Sequence, residues 1–433
     1  MTDGGDDGGR GRGSVLDGTT HMMQRRGRCR SCGSSGVTTV LDLGEVPLTG
    51  ALRRPDQLDE PEPHYPLELG FCANCYLVQL RHDVSPELLF ARDYPYFSSV
   101  ADDLVAHSQR HAEALVAERG LGPGSLVLEI ASNDGYLLRH VAAAGVPVLG
   151  VDPAAAQAAA AEALGVPTRV AFFGTDFAAS LAAEGVVADV IVANNVLAHV
   201  PEIDDVLGGV ALLLADEGIL TIENPSVVDL VTRGAFDTIY HEHFSYLSTL
   251  AVNAAVHRHG LELVDVTAFP QLHAGTLRWT VARAGAAQPS PSVAGQLEAE
   301  RAAGAESIAL FRGFGTEVQR RIAGIRDLLL SRRGKGRRIV AYGAAAKGVM
   351  LLAAVGVGDE VLEYVVDRNT HKQELYLPGT RLAIRDPAVL TENPPDDLLV
   401  LAWNFADEIL RQQSWFTAAG GSFILPLPEL VVQ

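Results

Sequence analysis

The chain carries only four cysteines, and they fall in one short stretch as two knuckles, Cys29-Arg-Ser-Cys32 and Cys72-Ala-Asn-Cys75. Each CxxC turn offers two sulfurs, and four thiolates at tetrahedral corners are the set that Zn²⁺ prefers. Gly33, directly after the first knuckle, suits the tight turn this requires. A closed four-thiolate site has no open coordination position. Cys29, Cys32, Cys72 and Cys75 are therefore expected to hold one structural zinc ion that folds an N-terminal module and does no chemistry. The alternatives are two disulfides, which a reducing cytoplasm opposes, or four unrelated thiols, which the pairing opposes. Arg25, Arg26, Arg28 and Arg30 flank the first knuckle and leave a nucleic-acid-binding zinc ribbon open. The balance of 34 Lys and Arg against 53 Asp and Glu, a formal charge of −19, argues against a nucleic-acid polymer as partner.

At 48% hydrophobic and 20% charged residues, the chain is globular in composition, and its 433 residues allow several cores. Residues 1–24 are rich in Gly and Asp without hydrophobic period and are expected to be a disordered leader; they lack the regions of a secretory signal. No apolar run reaches the ~18 residues of a membrane span, so a cytoplasmic protein with no membrane partner is expected; a monomer is the expected state. The zinc module is placed at 25–92, with a polar, Pro-rich insertion from Pro55 to Pro66 between its knuckles. A helix from Ala101 to Glu118 stops at Gly120 and Gly122. Strand-like runs at 126–130, 147–151, 168–172, 188–193 and 218–223 then alternate with Ala-rich helical stretches, the pattern of a parallel sheet with crossover helices. A long helical segment near 296–332 places Phe311, Phe314, Val318, Ile322, Ile325 and Leu329 on one face. Further strand-like runs lie at 338–342, 361–366, 397–401 and 421–425. The expected organisation is α/β throughout: one domain at 93–290, a connecting helix at 291–335, and a second α/β domain at 336–433.

In the first α/β domain, polar residues stand at successive strand ends. Leu126 to Ile130 runs into Ala131-Ser-Asn133-Asp-Gly135, with Glu129 inside the strand; the next strand ends on Asp152, the third element carries Asp176, and the fourth ends in Asn194, Asn195 and His199. Open α/β sheets bind ligands at this edge, and an acid at the second strand end is placed to accept from ribose hydroxyls. The GxGxxG spacing that admits a dinucleotide pyrophosphate is missing. The pattern resembles class I methyltransferases, and that resemblance implies S-adenosylmethionine as cofactor, held by Glu129, Ala131, Asn133, Gly135, Asp152, Asp176, Asn194, Asn195 and His199. The domain is then a class I methyltransferase Rossmann-like domain.

After Asn224-Pro225 comes Tyr240-His241-Glu242-His243-Phe244, the most chemically dense run of the chain. Base, carboxylate and phenol within four residues point to catalysis; a metal pair at His241 and His243, or a purely structural polar cluster, are the alternatives. Together with the CxxC pair, Glu129 to Gly135, Asn194-Asn-Val-Leu-Ala-His199 and Tyr342-Gly-Ala-Ala-Ala-Lys-Gly348, this run resembles the zinc-containing sugar C-methyltransferases of deoxysugar biosynthesis over residues 27–425. The resemblance implies methylation at C3 of a thymidine-diphosphate-linked (dTDP-linked) 4-keto-deoxysugar. It implies His243 as general base, Glu242 orienting it, Tyr240 bonding the substrate oxygen and His241 near the substrate. It also implies a further tyrosine, for which Tyr96 is preferred to Tyr94 because Phe-Ser-Ser follows it. A ketone acidifies the neighbouring C–H, and a neutral imidazole with a pKa near ~6.5 is a suitable base for enolate formation.

In the second α/β domain, strand 338–342 opens into Tyr342-Gly343-Ala-Ala-Ala-Lys347-Gly348. Small residues before a helix N-terminus and a lysine suit a diphosphate, although a simple strand–helix turn has the same look. The resemblance makes this second, C-terminal Rossmann-like domain the holder of the sugar nucleotide, with Tyr342, Lys347, Trp403 and Asn404 as substrate residues and Trp403 as a surface for the base. His273 and Arg278 join them, although His273-Ala-Gly-Thr-Leu-Arg278 replaces the family's His-Gly-Gly-Ser-Leu-Arg and Ala345 stands where proline is common. A nicotinamide-dependent sugar-nucleotide dehydrogenase or epimerase, and a non-catalytic zinc-ribbon protein, are the competing readings.

Overall fold

The computed structural model describes residues 23–91, 97–272 and 275–433. Tyr94, Tyr96 and His273 lie outside the described residues, as does nearly all of the expected leader. Among the described residues, no helix is long and apolar enough to cross a membrane.

The first five strands are Met23–Arg25 (β1), Val37–Pro47 (β2), His64–Cys72 (β3), Val78–Leu80 (β4) and His82–Val84 (β5). β1 pairs with β5, so regular structure already begins at Met23, inside the stretch read as leader. β2, β3 and β4 form an antiparallel meander. The inward residues Leu67, Leu69 and Phe71 alternate along β3, the period of a half-buried strand. The Pro-rich insertion docks onto the C-terminal domain instead of standing in solvent. Arg53 and Tyr376 exchange backbone hydrogen bonds at 3.0 and 2.8 Å, and Glu62 accepts from the Gly379 N–H at 3.0 Å.

The second sheet is built from Val127–Ile130 (β6), Val148–Asp152 (β7), Thr168–Val170 (β8), Ala188–Asn194 (β9) and Leu214–Pro225 (β10), all parallel. Ser245–Tyr246 (β11) leaves this domain and joins the edge of the zinc-module sheet, pairing antiparallel with β4. Leu261–Phe269 (β12) and Thr276–Arg283 (β13) return as a hairpin, giving the order β8-β7-β6-β9-β10-β13-β12. The order reverses direction between β6 and β9, which opens a crevice at their carboxyl ends. This is the expected class I methyltransferase arrangement. The antiparallel hairpin was not legible as an alternation with helices, because it has none.

The third sheet comprises Ile339–Tyr342 (β14), Val365–Val366 (β15), Ile384–Arg385 (β16), Asp397–Val400 (β17), Ser422–Leu425 (β18) and Val431–Val432 (β19), in the order β16-β15-β14-β17-β18-β19. Only β19 is antiparallel, and the reversal point lies between β14 and β17. The expected long helix is two: Pro291–Ala302 and Ile308–Gly334. Gly304, at φ 85°, turns the chain between them, and the Ser307 hydroxyl caps the second by accepting from the Ala309 N–H. The face predicted for the second helix is the buried one, with Phe311, Phe314, Val318, Ile325 and Leu329 all inward. Gly315 lets this helix lie directly on β2, since a Cβ there would run into the Val40 carbonyl oxygen.

One apolar core joins all three parts. Leu69, Phe71 and Leu80 of the zinc-module sheet, Phe236 and Ile239 before the Tyr-His-Glu-His run, the long helix, and Ile339, Met350 and Leu401 of the C-terminal domain belong to a single cluster. Cys29, Cys72 and Cys75 lie in another, shared with β9 and β10. Of the basic residues at the first knuckle, Arg26 and Arg30 are spent inside this structure, whereas Arg25 and Arg28 are exposed. Arg26 pairs with Asp83 and Glu202, and Arg25 with Glu68. Arg30 is 1% exposed; its guanidinium donates to Asp83 at 2.7 Å, to the Leu80 carbonyl at 2.9 Å and to the Pro201 carbonyl at 2.9 Å. Arg30→Ala would strand these acceptors, and such a loss of a buried ionic partner costs about 3 kcal/mol or more. Thermal denaturation of the variant is expected to show a clearly lowered Tm, and an unchanged Tm would contradict this role.

Candidate active site and metal centre

The crevice between β6 and β9 carries most of the residues expected to hold the cofactor. The chain leaves β6 with three left-handed residues in alternation, Ala131 at φ 55°, Asn133 at φ 49° and Gly135 at φ 75°. Two of these are not glycine, and such strain persists where the surroundings impose it. Here the clamp is Asp152, at the end of β7, whose carboxylate accepts from the N–H groups of Asn133 and Ala154, both at 2.8 Å. From above, Asn133 Oδ1 and Asp134 Oδ2 accept from the Ser98 and Ser99 N–H groups at 2.9 and 3.1 Å. Glu129 is 1% exposed, and burial beside Asp152 and Asp134 pushes its carboxyl well above the usual range. Glu129 Oε2, Asp134 Oδ1 and Asn194 Oδ1 are buried acceptors with no hydrogen-bond partner among the described residues. Orphaned acceptors at adjacent strand ends fit a ligand bearing ammonium and hydroxyl donors, as S-adenosylmethionine does. Asn195 follows at φ 55°, held by its N–H to the Glu223 carbonyl at 2.6 Å. Asp176 stands exposed in the first turn of the helix Thr175–Ala183.

The Tyr240–Phe244 run is a turn, closed by the His243 N–H on the Tyr240 carbonyl at 2.9 Å. His243 Nδ1 lies 2.8 Å from the Thr238 carbonyl, which makes Nδ1 the protonated nitrogen and Nε2 the basic one. The Tyr240 ring tilts over His243 with centroids 4.1 Å apart, and His199 meets it edge-on at 4.8 Å. His199, grouped by sequence with the cofactor residues, is thus joined to the Tyr-His-Glu-His run. Its Nδ1 donates to the Glu242 carbonyl at 2.8 Å, and burial drops its pKa to about 4.

Two assignments in this run change. The orienting partner of His243 is the Thr238 carbonyl, whereas the Glu242 carboxyl turns toward the zinc module, 3.4 Å from the Thr49 hydroxyl. Burial pushes that carboxyl up to about 7. His241, expected near the substrate, is 2% exposed and faces away from His243 into β3, with Nε2 3.2 Å from the Pro66 carbonyl and its ring edge-on to Tyr65 at 5.8 Å. Burial lowers its pKa to about 4. Opposed in this way, His241 and His243 do not form a metal pair.

The remaining expected substrate residues divide. Gly343, at φ 101°, brings the backbone after β14 against Ala402, and the helix Ala346–Val355 begins directly beyond it with Lys347 in its first turn. The Asp367 carboxylate accepts from the Ala344 N–H at 2.6 Å and Lys372 donates to the Ala344 carbonyl at 2.9 Å, so this loop is braced. Asn404 is exposed at the end of β17, on the same edge. Trp403 is not a platform for a base. It is 7% exposed, and its indole N–H donates to Asp237 at 2.6 Å. Tyr342, at 5% exposure, belongs to the apolar core of its own domain. Arg278 is tied to Glu223 at 2.6 Å, and His107 joins the same carboxylate at 3.0 Å. Asp237, Thr49, Glu223 and His107 were not singled out from sequence; nothing in their spacing marks them, since each meets its partner across a domain or sheet.

The four cysteine sulfurs lie within 4.8 Å of one another, with Cys29–Cys75 and Cys32–Cys72 both at 3.6 Å. Zn–S bonds of ~2.3 Å in a tetrahedron place sulfurs ~3.8 Å apart, so the donor set fits Zn²⁺. Both knuckles fold alike: the Gly33 and Tyr76 N–H groups return to the Cys29 and Cys72 carbonyls at 3.0 and 2.8 Å, each with positive φ. Gln79 donates to Cys29 Sγ at 3.1 Å and accepts from the Arg30 N–H at 3.0 Å, orienting the first knuckle. Without a cation, hydrogen bonds from Cys72 and Cys75 favour the Cys29 thiolate, and Cys72 is pushed up to about 11. A dication reverses that resistance to further ionisation.

Residues 271–428 match the C-methyltransferase C-terminal domain family, residues 29–90 a zinc binding domain family, and residues 105–266 a methyltransferase domain family. The C-methyltransferase NovU of Streptomyces niveus is 36% identical over 402 residues, spanning 93% of this chain and 95% of that protein. Solved structures with weaker likeness include magnesium protoporphyrin IX methyltransferase from Synechocystis PCC 6803 with bound SAH, at 18% identity and TM-score 0.34 over 42% of this chain and 85% of that one. Another is the CcbJ methyltransferase from Streptomyces caelestis, at 14% identity and TM-score 0.33 over 41% of this chain and 90% of that one.

Two outcomes follow from this geometry. Elemental analysis of purified protein is expected to give one zinc per chain, and Cys72→Ser to lose it; a metal-free, folded wild type would contradict the site. His241, kept neutral when folded, lends stability that is full above pH ~6.5 and is lost as pH falls through about 4. His241→Gln should flatten the fall of unfolding free energy over that window, by on the order of 3 kcal/mol; an unaltered pH dependence would contradict it.

Proposed function

The chain belongs to the zinc-containing C-methyltransferase family, and on that premise we propose that it methylates C3 of a thymidine-diphosphate-linked 4-keto-deoxysugar with S-adenosylmethionine as donor. The observation that carries this reading is His243, with Nδ1 pinned by the Thr238 carbonyl and Nε2 left as the basic nitrogen beside Tyr240. Nε2 takes the C3 proton, the C–H electron pair moves into the C3–C4 bond, and the carbonyl pair moves onto the C4 oxygen. Tyr240 donates a hydrogen bond to that oxygen. S-adenosylmethionine, when bound, would supply the electrophilic sulfonium methyl group that C3 takes, with the bonding pair left on sulfur. Glu129, Asn133, Asp152 and Asn194 hold and orient it in the β6–β9 crevice, and His199 lines the passage to His243.

The loop Gly343–Lys347 and the helix behind it hold the diphosphate by backbone N–H groups and the lysine ammonium. This local positive site is what admits an anionic substrate to a chain of net charge −19. The division of labour follows the organisation read from sequence: residues 25–92 fold around zinc, 93–290 hold the methyl donor, and 336–433 hold the sugar nucleotide. Zinc, with four protein ligands, takes no part in the reaction.

Incubation with methyl-labelled cofactor and a panel of thymidine-diphosphate 4-keto-deoxysugars is expected to place label on ring carbon. Label on oxygen or nitrogen, or none with any sugar, would overturn the reading. His243→Ala should lose ~10²-fold or more of turnover while still binding S-adenosylhomocysteine. The Glu242 carboxyl, pushed up to about 7 by burial, is neutral when folded, so its contribution to stability is full below pH ~4.5 and is lost as pH rises through about 7; Glu242→Gln should flatten that loss in unfolding measured across pH. An unaltered pH dependence of stability in the variant would contradict this.

A further inference from the structure

Asp237 is fully buried, at 0% exposure, on the single turn Phe236–Thr238 just before the Tyr-His-Glu-His run. Its Oδ2 accepts from the Trp403 indole N–H at 2.6 Å, and its Oδ1 has no hydrogen-bond partner. The tryptophan comes from the C-terminal domain, at the end of β17, and the Lys347 ammonium sits 5.4 Å from its ring centroid. The helix Ala346–Val355 packs against the same turn. A buried carboxylate satisfied on one oxygen by a neutral donor is a poor source of stability, because an apolar residue would fill the space without the desolvation penalty. Its position suggests another use. The next residue is Thr238, whose carbonyl receives the His243 Nδ1 proton at 2.8 Å and the Tyr246 hydroxyl at 3.4 Å.

We propose that Asp237 and Trp403 are positioning residues for His243, through which the seating of the C-terminal domain sets the orientation of the base. The chain of contacts runs from the Trp403 indole to Asp237, along one peptide unit to the Thr238 carbonyl, and from there to the imidazole. It rests on the reading of His243 as the base. A nucleotide diphosphate engaged by Lys347 lies at the head of this chain, so nucleotide binding and alignment of the base are physically joined. Neither residue touches the reacting atoms.

Trp403→Phe keeps the ring beside Lys347 and removes the N–H; Asp237→Ala removes the acceptor; Asp237→Asn keeps an acceptor oxygen. The direct readout is ¹⁵N NMR of histidine-labelled, zinc-loaded full-length protein, with the His243 signal assigned by its loss in His243→Gln. Wild type is expected to show the Nδ1–H tautomer. Trp403→Phe and Asp237→Ala should show a mixture of tautomers, with Asp237→Asn restoring the wild-type signal. In turnover, the first two variants should lose ~10-fold to ~10²-fold in kcat, as a slight misplacement of a catalytic group does. Their affinity for thymidine diphosphate should remain within a factor of ~2–3. A wild-type His243 signal in folded Trp403→Phe and Asp237→Ala would overturn the proposal. So would a loss confined to nucleotide affinity with kcat intact. The NMR arm needs no sugar substrate, so it decides the positioning role even if the wild type methylates no keto sugar and the proposed reaction fails.

Discussion

The molecule depends on one short stretch of β-pairing, where Ser245 and Tyr246 of β11 lie against Gln79 and Val78 of β4. Phe244, the last residue of the Tyr-His-Glu-His-Phe run, extends the contact by accepting from the Leu80 N–H at 2.9 Å. A two-residue strand has little stability of its own. It exists because β4 is held on its other side by β3 and at its start by the Cys72–Cys75 knuckle. Through that edge, a metal-clamped hairpin fixes the backbone that carries His243.

The same principle is repeated from other directions. Arg30, inside the first knuckle, lies 5.2 Å over the Phe244 ring and reaches the Leu80 and Pro201 carbonyls. His241 ties the run to β3, Glu242 reaches Thr49, and Asp237 is caught by Trp403 of the C-terminal domain. A run with so many titratable side chains needs such bracing, since each buried polar group must find a partner. The segment around His243 is braced by contacts with all three parts of the chain, and those parts share one apolar core.

The residues at strand ends were legible because an open α/β sheet puts its polar chemistry there: Glu129, Asn133, Asp152 and Asn194 converge at β6, β7 and β9 as their order along the chain implies. The knuckles were legible because ligand spacing follows from the geometry of the ion. The Tyr-His-Glu-His run stood out by composition, but composition did not show which side chain faces which way. Residues two apart share a face only in an extended strand. This run is a turn, so His241 and His243 oppose one another and Glu242 points to the zinc module. Trp403 was misread for a related reason: an aromatic at a strand end suggests a base platform, whereas its partner Asp237 stands far away in sequence and becomes visible only when the domains are docked. The helix break at Gly304 is written in the chain, though an apolar period running past it concealed it.

The central claim is that the metal module and the Tyr-His-Glu-His run are one structural unit. Hydrogen–deuterium exchange of zinc-loaded and chelator-stripped protein, followed by mass spectrometry of peptides covering residues 76–80 and 240–247, tests it most directly. The account predicts that both peptides are protected together and lose protection together when zinc is removed, while peptides of β14 and β17 stay protected. Loss confined to the knuckle peptides, with 240–247 as protected as before, would contradict it.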